Sequence, residues 1–380
     1  MLSRQSFTIR PLPTIVFGSG ASGKLANHVK AQGSSAALVV TDRTLRATGL
    51  LEAALSALKG DGVEVEVFDG VEPNPTDRNV EDGAAMLRRM PGACVLAFGG
   101  GSSMDAGKAI ALLGANSGSV EELQAGAPAN PGAPVIAVPT TAGTGSETNN
   151  ACVITNSRLG RKTYVMHSSI VPAVSVLDPD LTLKLPAYPT ATCGFDVFTH
   201  AIEAFVSPRG NPYSDAVALD AIRIVARHLR TAVADGDDLE ARSQMLLASA
   251  MAAIAFNVAG LGSAHGTGHA LSARLHAAHG QTLATMLPHV MGFNAQVCAE
   301  KYAAVASILE PGSSGSPAAA IDAVQRLRAD IGIERSIREL GAGDDLLPVL
   351  VADAMADPVN RGNPRPVDAA ALEALYRAAW

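Results

Sequence analysis

Cysteine is scarce in this chain, with four in 380 residues, and none falls in a CxxC spacing. Cys94, Cys152, Cys193 and Cys298 are scattered, which argues against a disulfide framework or a thiolate metal site and suits reduced thiols. Aromatic residues make up only 4%, and no basic cluster with interleaved aromatics occurs. Together with a net charge of −7, this excludes a general affinity for nucleic acid. Long apolar runs are also lacking. The longest, MLLASAMAAIAF at 245–256, falls short of the ~20 residues a bilayer requires and reads as a buried helix. The opening MLSRQSFTIRPLPTIVFG has no apolar centre of the kind a secretion signal carries. A cytoplasmic protein without a membrane partner is therefore expected. The lysine-bearing P-loop pattern is missing too, which disfavours a nucleoside triphosphate.

What is present is a chain that is 48% apolar with 36 glycines, long enough for two domains. In the first half, short Val/Ile-rich runs alternate with helical patterns. TIVF (14–17), AALVVTD (36–42), VEVEVFDG (63–70), CVLAFGGG (94–101) and PVIAVPTT (134–141) read as strands. Such a pattern predicts a mostly parallel sheet covered on both faces. Strand signals fade from about Leu185, and Ala/Leu-rich helical patterns run to Trp380. The expected division is an α/β domain over 1–183 and an all-helical domain over 184–380, with the break in LDPDLTLKLP. The Gly/Ser/Pro stretch at 311–317 reads as a surface loop.

Two kinds of motif carry chemistry. Asp196 and His200 lie four apart in a helical segment, as do His265 and His269, and His279 follows ten residues later. Residues four apart share a helix face, so Asp196, His200, His265 and His279 fit one mononuclear metal site. The second kind is the glycine-rich strand end. GSGASG (18–23), with Asp42 about 20 residues on, matches a dinucleotide fingerprint, but a plain strand-to-helix turn explains it as well in so glycine-rich a chain. GGGSSMD (99–105) is the better phosphate loop: it follows an apolar strand and opens a helix whose free N–H groups favour an anion. TTAGTGSE (140–147) adds hydroxyls at a neighbouring strand end.

Taken together, GGGSSMDAGKAIA, VPTTAGTGSE, LDPDLTLKLP, GFDVFTHAIEAFVS, AGLGSAHGTGHAL, HGQTLATMLPHV and NPRP resemble the iron-containing (group III) alcohol dehydrogenase family, in its order and over essentially the whole chain. The resemblance implies a Rossmann-like N-terminal domain and a helical C-terminal domain, the dehydroquinate synthase-like arrangement, with the active site in the cleft. It implies metal ligands at Asp196, His200, His265 and His279, and a proton-moving role for His269 near the nicotinamide. Gly100, Gly101 and Ser102 would hold the pyrophosphate. Thr140, Thr141, Thr144 and Lys162 would line the ribose and phosphate region, and Asp42 and Asn74 the adenosine half. Ala270 and Ala278 depart from the family by replacing common prolines, but no ligand is missing.

The expected activity is reversible hydride transfer between a small alcohol and NAD, giving an aldehyde or ketone. NADP is disfavoured because Asp42 would repel a 2′-phosphate. The nitrogen and oxygen ligands suit Fe(II), with Zn(II) able to replace it. A homodimer is implied by the resemblance. The maleylacetate reductase branch lacks the full Asp/His set. A dehydroquinate synthase-like lyase would need a basic cluster for its anionic substrate, whereas the segments around these ligands are mostly apolar. His276 reads as a surface or packing residue, and Lys108 as facing solvent or a helix neighbour.

Overall fold

The structure, a computed structural model, describes residues 6–9, 12–125, 130–158, 161–312 and 315–380. Residues 313 and 314 of the expected 311–317 loop, and 1–5, 10 and 11 of the opening segment, lie outside them. The chain forms two compact units, Pro11–Leu183 and one that takes in Lys184–Trp380.

The first unit carries strands β1 (Thr14–Phe17), β2 (Ala36–Asp42), β3 (Glu64–Val71), β4 (Cys94–Gly99), β5 (Val135–Pro139), β6 (Ala151–Asn156), β7 (Arg161–Met166) and β8 (Val174–Leu177). Its helices are α1 (Leu25–Ala31), α2 (Arg43–Ala47), α3 (Glu52–Gly60), α4 (Asp77–Leu87), α5 (Gly101–Gly114) and α6 (Val120–Ala125). Six strands make one wholly parallel sheet in the order β1-β8-β5-β4-β2-β3. Alternate side chains of β2 and β4 enter two separate buried clusters, one on each face of the sheet. That is why these strands are apolar without a break. The sequence reading overlooked three strands. VSVL forms β8, between β1 and β5, and β6 pairs antiparallel with β7 in a separate hairpin.

Lys108 corrects part of a second expectation. It does not face solvent: it is 1% exposed and, besides lying 3.6 Å from its helix neighbour Asp105, donates to Ser146 O and Asn149 Oδ1, both at 2.9 Å, and to Ala151 O. Asp105, one turn earlier on α5, accepts from Ser146 Oγ and from the Val153 N–H at 2.9 Å. Four buried or half-buried partners thus tie α5 to the segment 146–153, and the cation's burial is offset by full hydrogen bonding.

The second unit is helical throughout. It comprises α7 (Ala187–Val206), α8 (Pro212–Ala234), α9 (Leu239–Ala259), α10 (Ser263–Leu275), α11 (His279–Asn294), α12 (Ala299–Leu309), α13 (Pro317–Asp330), α14 (Leu347–Ala356) and α15 (Ala369–Ala378). The run 245–256 is the middle of α9 and is largely buried. No single helix among the described residues is long and apolar enough to cross a membrane. Helix α7 is buried on nearly every side, yet carries several threonines. Thr190, Thr192 and Thr199 satisfy their hydroxyls on carbonyls three to five residues back, which lets a polar sequence line a core.

Glu147 gives the first unit a pH dependence. Burial pushes its carboxyl up to about 7, against the opposing pull of its own backbone N–H and of Lys108, and its Oε1 has no hydrogen-bond partner. The folded state therefore binds a proton that the unfolded chain releases near its ordinary value of 4.5. The resulting stability is fully present below that value and is lost as pH rises through about 7. The unfolding free energy from denaturant titrations across this window should fall in the parent, by on the order of 3 kcal/mol. In Glu147→Gln the slope should flatten, and an unchanged slope would remove the assignment.

Candidate metal centre

Three helices deliver the predicted ligands. Asp196 and His200 lie on one face of α7, His265 on the first turn of α10, and His279 is the first residue of α11. Their atoms converge on Asp196 Oδ1, with His200 Nε2 at 3.3 Å, His265 Nε2 at 3.5 Å and His279 Nε2 at 3.8 Å. Ligand atoms of Asp196, His265 and His279 all lie within 4.8 Å of one another. Ligands ~2.1 Å from a shared ion stand roughly 3–3.5 Å apart; His200 and His265 meet that spacing to Asp196, His279 lies just outside it, and His200 is not in the mutually close set. The chemistry fits as well. Among the described residues, Asp196 Oδ1 and His265 Nε2 are buried and have no hydrogen-bond partner in good geometry. An imidazole nitrogen and a carboxylate oxygen side by side in a core are costly unless a proton or a metal ion joins them.

Electrostatics agree. Burial works against charge on Asp196, but His200, His279 and His265 together hold its carboxyl well below the usual carboxylate range. Burial lowers His200 to about 4 in spite of Asp196, which keeps it neutral and able to ligate. Burial also opposes charge on His265, but Glu203 and Asp196 raise it to about 9, so an arriving cation displaces a proton there.

The close approach of these helices rests on a glycine. A Cβ at Gly280 would lie 1.9 Å from the Thr192 carbonyl oxygen and 2.6 Å from its carbon. Only a hydrogen fits, and the first turn of α11 thereby presses onto α7 one turn before Asp196. The preceding turn is made by His276, which ends α10 in the left-handed region at φ 51° and is exposed, as a surface residue would be.

Two carboxylates beside these histidines escaped the sequence reading. Glu203, seven residues after Asp196 on α7, lies with Oε2 2.6 Å from His265 Nδ1. Its Oε1 accepts from the backbone N–H groups of Ala264 at 2.7 Å and His265 at 3.4 Å. Although burial works against its charge, His265 and nearby backbone N–H groups hold the Glu203 carboxyl below its ordinary value. Asp357 lies with Oδ2 2.7 Å from His269 Nδ1, while its Oδ1 caps a short 3-10 turn at the Val359 N–H, 3.0 Å away. The spacing of Glu203 could have revealed it, because positions 196, 200 and 203 form one helical stripe. Asp357 is 88 residues from His269 and gave no local signal. The His269 ring stacks on His279 at 5.1 Å and meets His265 edge-on at 5.7 Å.

In the other unit the two later glycine loops face each other. Gly100 precedes α5 without any side-chain cap, and Gly101 and Ser102 open the helix. A Cβ on Gly101 would stand 2.5 Å from Thr144 Cγ2, and one on Gly100 3.5 Å from Thr141. Thr140 is buried and its N–H bonds Gly99 O at 2.9 Å. The result is an uncapped helix start flanked by threonines, a setting for an anion. The 18–23 loop is different. Its Gly20 and Ser22 N–H groups and the Ser22 hydroxyl are taken by the carboxylate of Asp178, at 3.1, 2.9 and 2.6 Å. An internal anion already fills it. Asp42 ends β2 and caps α2 through the Leu45 N–H at 2.8 Å. Asn74 is exposed with φ 57°, and Lys162 sits half-buried on β7 opposite Thr155.

Comparison with known proteins follows this division. The iron-containing alcohol dehydrogenase family matches residues 13–179, and the C-terminal region of the Fe-containing alcohol dehydrogenase family matches residues 190–380. The chain is 39% identical over 373 residues to the 1,3-propanediol dehydrogenase of Klebsiella pneumoniae, covering 96% of each. It is 36% identical over 359 residues to the NAD-dependent methanol dehydrogenase of Bacillus methanolicus, covering 93% of this chain and 94% of that one. A crystal structure of 1,3-propanediol oxidoreductase superposes with a TM-score of 0.95 at 38% identity, over 99% of this chain and 100% of the other.

Replacing Gly280 by alanine should cost about 1–3 kcal/mol, as overpacking does, and lower the metal content of the purified protein. Gly292→Ala, on the same helix with nothing within 4 Å of its added carbon, should do neither. Elemental analysis and thermal melting on both variants test this. Full metal content in Gly280→Ala would show that the contact does not position the centre.

Proposed function

The chain belongs to the iron-containing alcohol dehydrogenase family, and on that premise we propose that it is a metal-dependent oxidoreductase that moves a hydride reversibly between a small alcohol and NAD. The observation that carries this is the convergence of three imidazoles on the buried Asp196 carboxylate. Asp196, His200, His265 and His279 would hold the metal, and their nitrogen and oxygen donors suit Fe(II), with Zn(II) a workable substitute. When bound, the metal supplies Lewis acidity toward an alcohol or carbonyl oxygen and NAD supplies the hydride acceptor.

The chain's own residues bind, orient and move the proton. The uncapped N–H groups at Gly100, Gly101 and Ser102 would take the pyrophosphate, and Thr140, Thr141, Thr144 and Lys162 would line the ribose and phosphates. Asp42 and Asn74 would lie toward the adenosine, where the Asp42 carboxylate favours ribose hydroxyls and repels the 2′-phosphate of NADP. His269 would take up the alcohol proton at Nε2. Its Nδ1–H is held by Asp357 at 2.7 Å, which fixes the ring and stabilises the imidazolium that forms.

A homodimer fits the edge of the sheet, since β1 is a terminal strand and exposes Ile15 at 38% and Phe17 at 45%. Four unbridged cysteines suit the reducing cytoplasm.

The test is NADH formation from primary alcohols, secondary alcohols and diols, with metal measured on the same sample. His279→Ala should lose metal and activity together. His269→Ala should keep its metal and lose ~10²–10⁴ in kcat. Full metal occupancy in His279→Ala, or NADH formation that does not depend on metal, would overturn the assignment.

A further inference from the structure

Helix α10 begins without a cap of its own. Its N-cap position is Gly262, which has no side chain to offer, and the first-turn N–H groups must find acceptors elsewhere. Ser263 N–H reaches Asn363 Oδ1 at 3.3 Å. The next two, on Ala264 and His265, reach a single oxygen of Glu203 on α7. The other oxygen of that carboxylate takes the Nδ1 side of His265 at 2.6 Å. Glu203 is 4% exposed, so water does not compete for either oxygen. A side chain at 262 would crowd this carboxylate. A Cβ there would stand 3.2 Å from Glu203 Oε1 and 3.1 Å from Asn363 Oδ1.

We infer that Glu203 is a positioning residue for the metal centre, which caps α10 from a neighbouring helix and in the same act sets His265 with its Nε2 lone pair toward the ion. The inference rests on the metal reading given above. Its logic is the donor count. An imidazole with Nδ1–H committed to a carboxylate has only Nε2 left to ligate, and that nitrogen is the one 3.5 Å from Asp196 Oδ1. Capping fixes where the helix starts, and hence the height of His265 on it. Ring orientation and backbone height are thus controlled by one side chain that itself need not touch the ion.

Glu203→Gln separates the two roles. The amide carbonyl can still accept from Ala264 and His265 N–H, so the cap survives. The amide nitrogen can only donate toward His265 Nδ1, which turns the ring to the tautomer whose Nε2 carries the proton and cannot ligate. The measurement is Zn(II) affinity by chelator competition, together with the melting temperature of the metal-free protein. We expect Zn(II) affinity to drop about 10–100-fold with little change in the metal-free melting temperature. In a His265→Ala background the same substitution should cost no further affinity. Gly262→Ala, which crowds the carboxylate without changing its chemistry, should weaken Zn(II) in the same direction and guards against a Gln variant that fails to fold. Parent affinity in Glu203→Gln, or an equal loss in the His265→Ala background, overturns the role of Glu203. Absence of tight Zn(II) binding in the parent would instead overturn the metal centre itself.

Discussion

Asp196 Oδ1 is buried among three imidazole nitrogens at 3.3–3.8 Å in a helical core, with only the His279 side chain of the four partly exposed. Negative charge in that setting is tolerable only with a positive partner. The rest of the unit is organised by this need. Helix α7 is polar along one stripe because it carries Asp196, His200 and Glu203, and it hides its threonine hydroxyls on its own carbonyls to keep the remaining faces apolar. Helices α10 and α11 approach to van der Waals contact because glycines stand where their backbones meet neighbours.

Much of this was legible in the chain. Four-residue spacings put Asp196 with His200, and His265 with His269, on shared helical faces. Short Val/Ile-rich runs marked five of the six parallel strands. The failures have physical causes. VSVL of β8 is only four residues long and sits beside the Pro- and Asp-rich segment that reads as a boundary, yet it pairs with β1 and β5 inside the sheet. Lys108 read as facing solvent or a helix neighbour; Asp105 is such a neighbour, but the acceptors of the lysine lie 38–43 residues later in a segment that no periodicity reveals. Gly280 is one of 36 glycines, and nothing local distinguishes the one that meets Thr192.

A common device recurs in both units. A single carboxylate divides its two oxygens between a backbone turn and a side chain it must hold still. Glu203 does so for His265, and Asp357 for His269. Asp178 does a related job at the turn after β1, where its two oxygens take the N–H groups of Gly20 and Ser22. That contact explains why a glycine pattern resembling a dinucleotide fingerprint is a closed structural joint here. The later loop at Gly100 has no such carboxylate on its helix start.

The position of β8 bears on how the sheet is assembled. Among the described residues strand β1 has β8 as its sole neighbour in the sheet, and its first pair joins Thr14 to Val174. During synthesis β1 therefore emerges long before its native partner, whereas the partners of β2, β3 and β4 lie nearer in the chain. Closing so long a loop is entropically slow, and an apolar edge left open in the interval is a place for wrong partners to dock. Asp178, which follows β8 directly, latches onto the turn after β1 as soon as the two strands meet. The pairing that completes the sheet thus also brings together the joint that locks it.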